Sequence, residues 1–469
     1  MYHNTKMNYI NKKPQRVVLV NPPIVAGCSD QTGTGVPYMP ITLAILAAIL
    51  DGKYDVSVMD MFGRNPVKKT KHNNLMLFGV DLDVISTGIR KDDVVIIYSG
   101  HAIGHTTVLR LIEKIQESSP KKIIVVENTN FVNAYPLDLF YGDFKKVGAT
   151  IIAGDPYDAV EKAIDGDYDM KDRHQCWNVD SLPAPKWDKF PLENYWNLDY
   201  AHAPKTDKKY IQMYTALGCS GGCYFCVNFY MNKSHWRPRS AWNIVKEMED
   251  WYWRGVKEFH LEDMNPLLSV DRVNEICSLL EEKSLKVDIK VAAGSKLDHI
   301  DVATLCRMGR VGFTYLSFSP ESGSPNLVEL MGKKFNHDRI LWLMWYMPKS
   351  IITQACFILG YPGEKGVDQD LTHRYAKQLS EAGVDEFAFF DYLPSPGSSM
   401  GLNYSINTDE LTFSSDWRPY NKHLKALRMR WLAEIYFRKF VGKPVEFVGR
   451  FMKTKTYMSL KRLSKAVSI

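Results

Sequence analysis

Cys219, Cys223 and Cys226 lie in the nonapeptide GCSGGCYFC (218–226), with three and then two residues between them, in a 469-residue chain with only eight cysteines. Clustered thiols in a chain that otherwise spends cysteine sparingly point to metal or redox chemistry. Thiolates are soft ligands, suited to iron–sulfur clusters or zinc. A structural zinc site is closed by four ligands, whereas three leave one position open. A 4Fe–4S cluster held by three cysteines keeps one iron free to bind a substrate, and that iron is where chemistry would take place. The glycines of LGCSGG let the backbone fold closely around such a group. A non-catalytic, cysteine-ligated metal-binding protein is the competing reading. Cys28, Cys176, Cys277, Cys306 and Cys356 are scattered and read as buried structural thiols.

A polypeptide of this length exceeds what one hydrophobic core usually serves, so two or three domains are expected. With 45% apolar and 24% charged residues the composition is that of an ordinary soluble globular protein. The longest apolar run, ITLAILAAIL (41–50), is about half of the roughly 18 residues needed to cross a bilayer. The opening MYHNTKMNYINKKPQ lacks the apolar stretch of a signal peptide, so 1–15 reads as a disordered lead and the cytoplasm as the location.

Two alternations of strand and helix follow. Short valine- and isoleucine-rich runs at 16–23, 54–60, 92–100, 121–128 and 149–154 are separated by helical stretches at 40–53 and 106–120. This pattern predicts parallel pairing in an open, doubly wound, Rossmann-like α/β sheet over 16–165, with ligands at the carboxyl ends of its strands. A Pro- and Trp-rich linker spans 166–205 and contains SLPAPKWDKFPLENYW. Six more strands are expected at 210–216, 256–263, 286–293, 313–322, 352–363 and 384–394. They predict a partial (βα)6, TIM-like barrel over 206–400, its site again at the strands' carboxyl ends. The aromatic runs WYW (251–253) and LWLMWYM (341–347) read as core helices.

The remainder, 401–469, reads as a basic helical tail. Residues 422–469 hold 13 Lys/Arg against two Glu. A helix packed on the body with a solvated basic face accounts for it. The alternative is peripheral contact with a membrane surface. No recognised module accompanies the charge, so nucleic acid is not expected as a partner.

The cysteine spacing, placed on the loop after the first barrel strand, resembles the signature of the radical S-adenosylmethionine (SAM) superfamily. In that family the open iron binds SAM, and one electron from the cluster releases a 5′-deoxyadenosyl radical. The resemblance makes Cys219, Cys223 and Cys226 the cluster ligands and places Phe225 at the adenine-contact position. It also implies cofactor contacts from Glu262 and Asp263 in HLEDMNP (260–266), with helix capping the alternative for Asp263. Glu321 and Ser322 in SFSPESGS (317–324) would face the ribose or methionine part. Gly360 in FILGYPGE (357–364) would allow close approach to adenine, and YLPSPGSSM (392–400) resembles the segment that closes these barrels. An external one-electron reductant such as flavodoxin or ferredoxin, and a small-molecule substrate, follow from the same resemblance.

VVLVNPP, the helix from 40, YDVSVMD and the PAPKW linker are similar to the subfamily that carries a cobalamin (B12)-binding domain. The resemblance implies cobalamin-dependent methylation of an unactivated carbon, with Asn21 and Ser99 at the strand ends as cofactor contacts. The chain departs from that pattern in ways that matter. It has no Asp-x-His-x-x-Gly motif, although His101 in SGHAIGHTT (99–107) is either within reach of cobalt or structural. Where members have a GGPH-like turn that lets backbone approach the cofactor's tail, this chain reads VENTNFVNAYP (126–136), with Asn128 and Phe131 in place of glycines. AGDPYD (153–158) replaces a GEGE segment. A degenerate N-terminal domain would leave a cobalamin-independent isomerase, dehydratase or cyclase.

Overall fold

The computed structural model describes residues 14–442 apart from 29–35, 74, 132–133, 169–172 and 402–420, together with 444–445 and 447–449. The expected lead and the last twenty residues of the tail therefore lie largely outside the described residues.

Arg16–Asn21 is the second strand of a five-stranded, all-parallel sheet. Asp55–Asp60 lies on one side of it; Val94–Ser99, Lys122–Glu127 and Thr150–Ile152 follow in order on the other. Residues 17–20 and 94–97 have no exposed surface, as expected of parallel strands covered on both faces. Chain order reverses between Arg16–Asn21 and Val94–Ser99, which makes the carboxyl ends of that pair the sheet's switch point. The helix Ile41–Leu50 is apolar almost all round because it is enclosed: its buried residues join the barrel in one continuous core, and Lys186 N–H of the linker donates to Ala44 O. A small antiparallel sheet of Ile24–Gly27, Leu75–Phe78 and Lys69–His72 flanks this domain. These short runs carry no period-2 signal long enough to read from sequence.

The second half is the expected open barrel. Tyr210–Met213, Glu258–Leu261, Asp288–Ser295, Phe313–Glu321, Ile352–Leu359 and Glu386–Asp391 pair in sequence order, all parallel. The first and last do not pair, so the wall stays open on one side. The N-terminal half is fastened to the first barrel strand: Met39 N–H donates to Gln212 Oε1 at 2.5 Å. Register shifts between Val291 and Ser295, and between Phe318 and Glu321, bulge the third and fourth strands where they reach the mouth. Glu321 takes φ 66°, a left-handed conformation that a side chain rarely adopts.

The basic helix Asn421–Gly442 packs on the last barrel strand. Leu424, Leu427, Trp431, Leu432, Ile435 and Tyr436 are buried there, and Trp431 stacks on His373 with ring centroids 4.8 Å apart. Two of its cations serve packing. Arg428 is buried beside Asp391 at 3.5 Å, and Lys439 Nζ caps the carbonyls of Val384 and Asp385.

Three expectations are corrected here. The aromatic runs are not wholly core: Trp251 is buried, but Trp253, Trp342 and Trp345 are exposed. Cys28 and Cys306 are only half-buried. Asp263 caps no helix; the following helix, Val270–Glu282, is capped by Ser269.

Candidate functional site

A cavity of ≈ 610 Å³ lies between the barrel mouth and the N-terminal domain. The cysteine loop and the strand ends of the barrel form most of its wall. Val36, Tyr38, Asn130 and Phe131 close it from the N-terminal side, with His202 from the linker. Its size is in the range of small-molecule and cofactor sites.

The cysteine loop is laced by Asn228. Its side chain accepts from Cys219 N–H (3.1 Å) and donates to the carbonyls of Cys219 (2.6 Å) and Gly221 (3.2 Å). Two backbone N–H groups reach sulfur, Gly221 to Cys219 and Asn228 to Cys226. Such bonds tune an iron–sulfur cluster. Gly218 has φ 72°, and a Cβ there would collide with the carbonyl of His235, so only glycine turns the chain into the loop. All three cysteines line the cavity.

Burial raises the Cys223 thiol, an effect that Lys333 opposes; burial and the neighbouring thiols push Cys226 up to about 12. Three thiolates in this setting need positive charge, which iron supplies. Among the described residues no three His, Cys, Asp or Glu side chains are grouped to hold one metal ion. A mononuclear zinc site requires all its thiolates at about 2.3 Å from one ion. Three cysteines on one loop, one short of the four ligands that close a structural zinc site, suit a cluster with a different iron behind each sulfur.

The second barrel strand ends on Glu262 and Asp263, and both line the cavity. Glu262 Oε2 lies 2.5 Å from His202 Nδ1. Its Oε1, like Asn265 Oδ1, is buried without a hydrogen-bond partner. Two orphaned acceptors facing one chamber suit the donors of a ligand, such as the ammonium of SAM. Asp263 instead works on the backbone: it accepts from Thr215 N–H (2.7 Å), Ala216 N–H (3.1 Å) and the Thr215 hydroxyl. Its carboxylate thereby fixes the chain immediately before the cysteine loop. Full burial pushes it up to about 6 despite these donors and the nearby Arg272.

Glu321 pairs with Lys333 at 2.7 Å, and Lys333 also donates to Ser319 O. Gly294 faces the same wall, where any Cβ would strike Ser319 Oγ. Phe225 packs with Leu327, Met331, Tyr361 and Tyr392, so the GYPG turn does stand beside it. Gly360 itself does not line the cavity; its positive φ makes the turn, and a Cβ would press on Leu424 of the C-terminal helix. Ser322 also lies behind the wall, hydrogen-bonded to Thr372 at 2.7 Å.

Asn21 and Ser99 are absent from the chamber. Asn21 donates to Asp60 at 2.7 Å, and Tyr195 OH donates to the same carboxylate at 2.8 Å. Ser99 meets Tyr135 OH at 2.7 Å, and that hydroxyl is 3.1 Å from His105 Nδ1. The VENTNFVN loop reaches the barrel instead. Asn130 donates to Ala216 O (2.8 Å) and accepts from Gly218 N–H (2.9 Å), while Asn232 donates to Thr129 O (2.7 Å). Phe131, Tyr38 and His101 form an aromatic cluster with centroids 4.6–5.7 Å apart. Burial holds His101 down at about 4, so its ring is neutral.

Sequence reasoning missed His202, Lys333, Asn265, Gln354 and, as a chamber residue, Cys356. Single residues from linkers and mid-strand positions carry no local signature. Only the strand periodicity, by pointing side chains of alternate residues inward, could have suggested Gln354 and Cys356.

Residues 213–376 match the family described as the radical SAM superfamily. An uncharacterized methyltransferase of Pyrococcus horikoshii, PH0819, is 23% identical over 280 residues, 59% of this chain and 57% of that protein. Cytidylyl-2-hydroxyethylphosphonate methyltransferase of Streptomyces wedmorensis is 28% identical over 234 residues, 47% of this chain and 42% of that one. The chain thus spans about half the length of these relatives. Among solved structures, the cobalamin-dependent SAM radical enzyme OxsB, with aqua-cobalamin and SAM bound, superposes with a TM-score of 0.61. The identity is 14%, over 89% of this chain and 56% of OxsB. The radical SAM methyltransferase TsrM of Kitasatospora setae gives 0.57 at 14% identity, over 82% and 75%. Residues 213–376 thus form a radical SAM domain, and the two-part fold is similar to that of OxsB and TsrM. A radical SAM domain implies a 4Fe–4S cluster and SAM as cofactors.

Proposed function

We propose that this chain is a radical SAM methyltransferase in which Cys219, Cys223 and Cys226 hold the cluster, SAM lies against the barrel's strand ends, and a corrinoid faces it from the N-terminal wall. The observation that supports this reading best is the shared chamber, walled by the cysteine loop on one side and by Tyr38, Asn130 and Phe131 on the other. When bound, the cluster supplies the electron that cleaves SAM to a 5′-deoxyadenosyl radical, and the corrinoid supplies the methyl group.

The chain's own residues position and shield. Glu262 Oε1 and Asn265 Oδ1 take the ammonium of SAM, and Phe225 lies along its adenine. Lys333, held by Glu321, places positive charge beside Cys223. Tyr38 and Phe131, packed edge to face on each other at 4.6 Å, offer apolar contact to a macrocycle. The Glu262–His202 pair holds a proton at the chamber wall. On this reading 16–165 is the corrinoid-facing domain and 206–400 the catalytic barrel. The substrate is a small molecule, the reductant a flavodoxin or ferredoxin, and the location the cytoplasm. Among the described residues no helix is long and apolar enough to cross a membrane.

Anaerobically reconstituted protein should bind about one corrinoid per chain, and turnover should yield S-adenosylhomocysteine beside 5′-deoxyadenosine. Both outcomes follow from the two roles given to SAM. The filled strand ends around Asn21 and Ser99 favour a second reading, a cobalamin-independent isomerase, dehydratase or cyclase. Turnover that forms 5′-deoxyadenosine alone, unchanged by added corrinoid, would establish that reading in place of the first.

A further inference from the structure

Open α/β sheets take ligands in the crevice at the switch point, and in this chain polar groups at the ends of the two strands that flank it are taken up by two tyrosines. Tyr195 comes from the linker helix Leu192–Trp196 and Tyr135 from the loop after Lys122–Glu127; neither has any exposed surface. Tyr195 closes the Arg16–Asn21 end through Asp60 and Asn21. Tyr135 closes the Val94–Ser99 end through Ser99 and His105, its ring packed edge-on against Phe140 at 5.2 Å. A crevice built to receive a polar ligand leaves buried donors or acceptors orphaned when that ligand is absent. Here Asn21, Asp60, Ser99, Tyr135 and Tyr195 all have partners within the protein, whereas Glu262 and Asn265 in the chamber present orphaned oxygens.

We infer that a corrinoid bound by this chain keeps its nucleotide tail outside the N-terminal sheet, so that recognition rests on the macrocycle alone. The inference rests on the corrinoid-dependent reading proposed above. Asn128 and Asn130 add to the closure. Asn130 bonds the loop to Ala216 and Gly218, and Asn128 accepts from Asn130 N–H at 3.0 Å.

The test is an absorption titration of the reconstituted wild-type holoenzyme with hydroxocobalamin and, separately, with cobinamide, the same macrocycle without the nucleotide tail. No variant is needed, so folding does not confound it. The two affinities should agree within about threefold, because a tail that buries no surface adds little binding energy. Cobalamin binding tenfold or more tighter than cobinamide would overturn the inference and leave the corrinoid-dependent reading standing. If neither binds, both fail together, and the cluster assignment is decided independently by iron content and 5′-deoxyadenosine formation.

Discussion

Glu262 commits one carboxylate oxygen to His202 and leaves the other without a partner in a buried chamber. Glu262→Gln should therefore weaken SAM binding roughly tenfold to a hundredfold, since a hydrogen bond to a charged group is worth about 1.5–3 kcal/mol. Iron content should not change. Calorimetric titration with SAM measures this, and an unaltered affinity would remove Glu262 from the SAM site. His101 provides a pH-dependent counterpart. Its folded-state value is held near 4 by burial, below the roughly 6.5 of an unfolded histidine. Between those values the unfolded chain binds the extra proton, so stability present above about pH 6.5 is lost as pH falls toward 4. His101→Phe keeps the aromatic packing and should flatten that acid limb in denaturant midpoints measured from pH 7.5 to 4.5. An unchanged slope would mean that His101 takes up no proton on unfolding. At this scale the cysteine triplet was legible because its spacing is itself the signal. His202 and Lys333 were not, because each acquires meaning only from a partner that is distant in sequence.

The elements that matter most are two loops, not the strands that carry them. The VENTNFVN loop lacks the glycine-rich turn that the resemblance led one to expect, and its Asn130 instead ties it to the backbone entering the cysteine loop. Asn130→Ala would orphan Ala216 O and Gly218 N–H, both in buried surroundings. It should cost about 1–3 kcal/mol of stability and hasten cluster loss under a chelator. Iron retention indistinguishable from wild type would show that the brace is dispensable. The sequence pattern located all eleven parallel strands to within a few residues, because the N-terminal runs are continuously apolar and the barrel runs alternate apolar with polar residues such as Gln212 and His260. The antiparallel trio escaped notice, since Lys69–His72 is wholly exposed and has no apolar residue. Register shifts at the mouth, which help to set the positive φ of Glu321, also leave no mark in a single sequence.

Over the whole molecule, one continuous core joins the N-terminal sheet, the linker, the barrel and the C-terminal helix. That helix illustrates what charge counting misses: its basic excess was visible, but one apolar side, with Leu424, Trp431 and Ile435, is buried on the barrel while Phe437, Phe440 and Val441 stay exposed. Trp431→Ala should therefore destabilise the protein by about 3–5 kcal/mol, as for other buried large-to-small changes. Equilibrium unfolding measures this, and a loss under 1 kcal/mol would mean that the helix is only loosely attached. The same integration places the cysteine loop, the barrel's strand ends and the N-terminal braces around one chamber, and the central proposal is that this chamber performs reductive SAM cleavage. The most direct measurement is 5′-deoxyadenosine formed by anaerobically reconstituted protein given SAM and dithionite, read alongside iron content, for wild type and Cys226→Ala. The wild type should hold about four irons per chain and release 5′-deoxyadenosine, and the variant should do neither. Tightly bound zinc without iron, or undiminished product from Cys226→Ala, would contradict it.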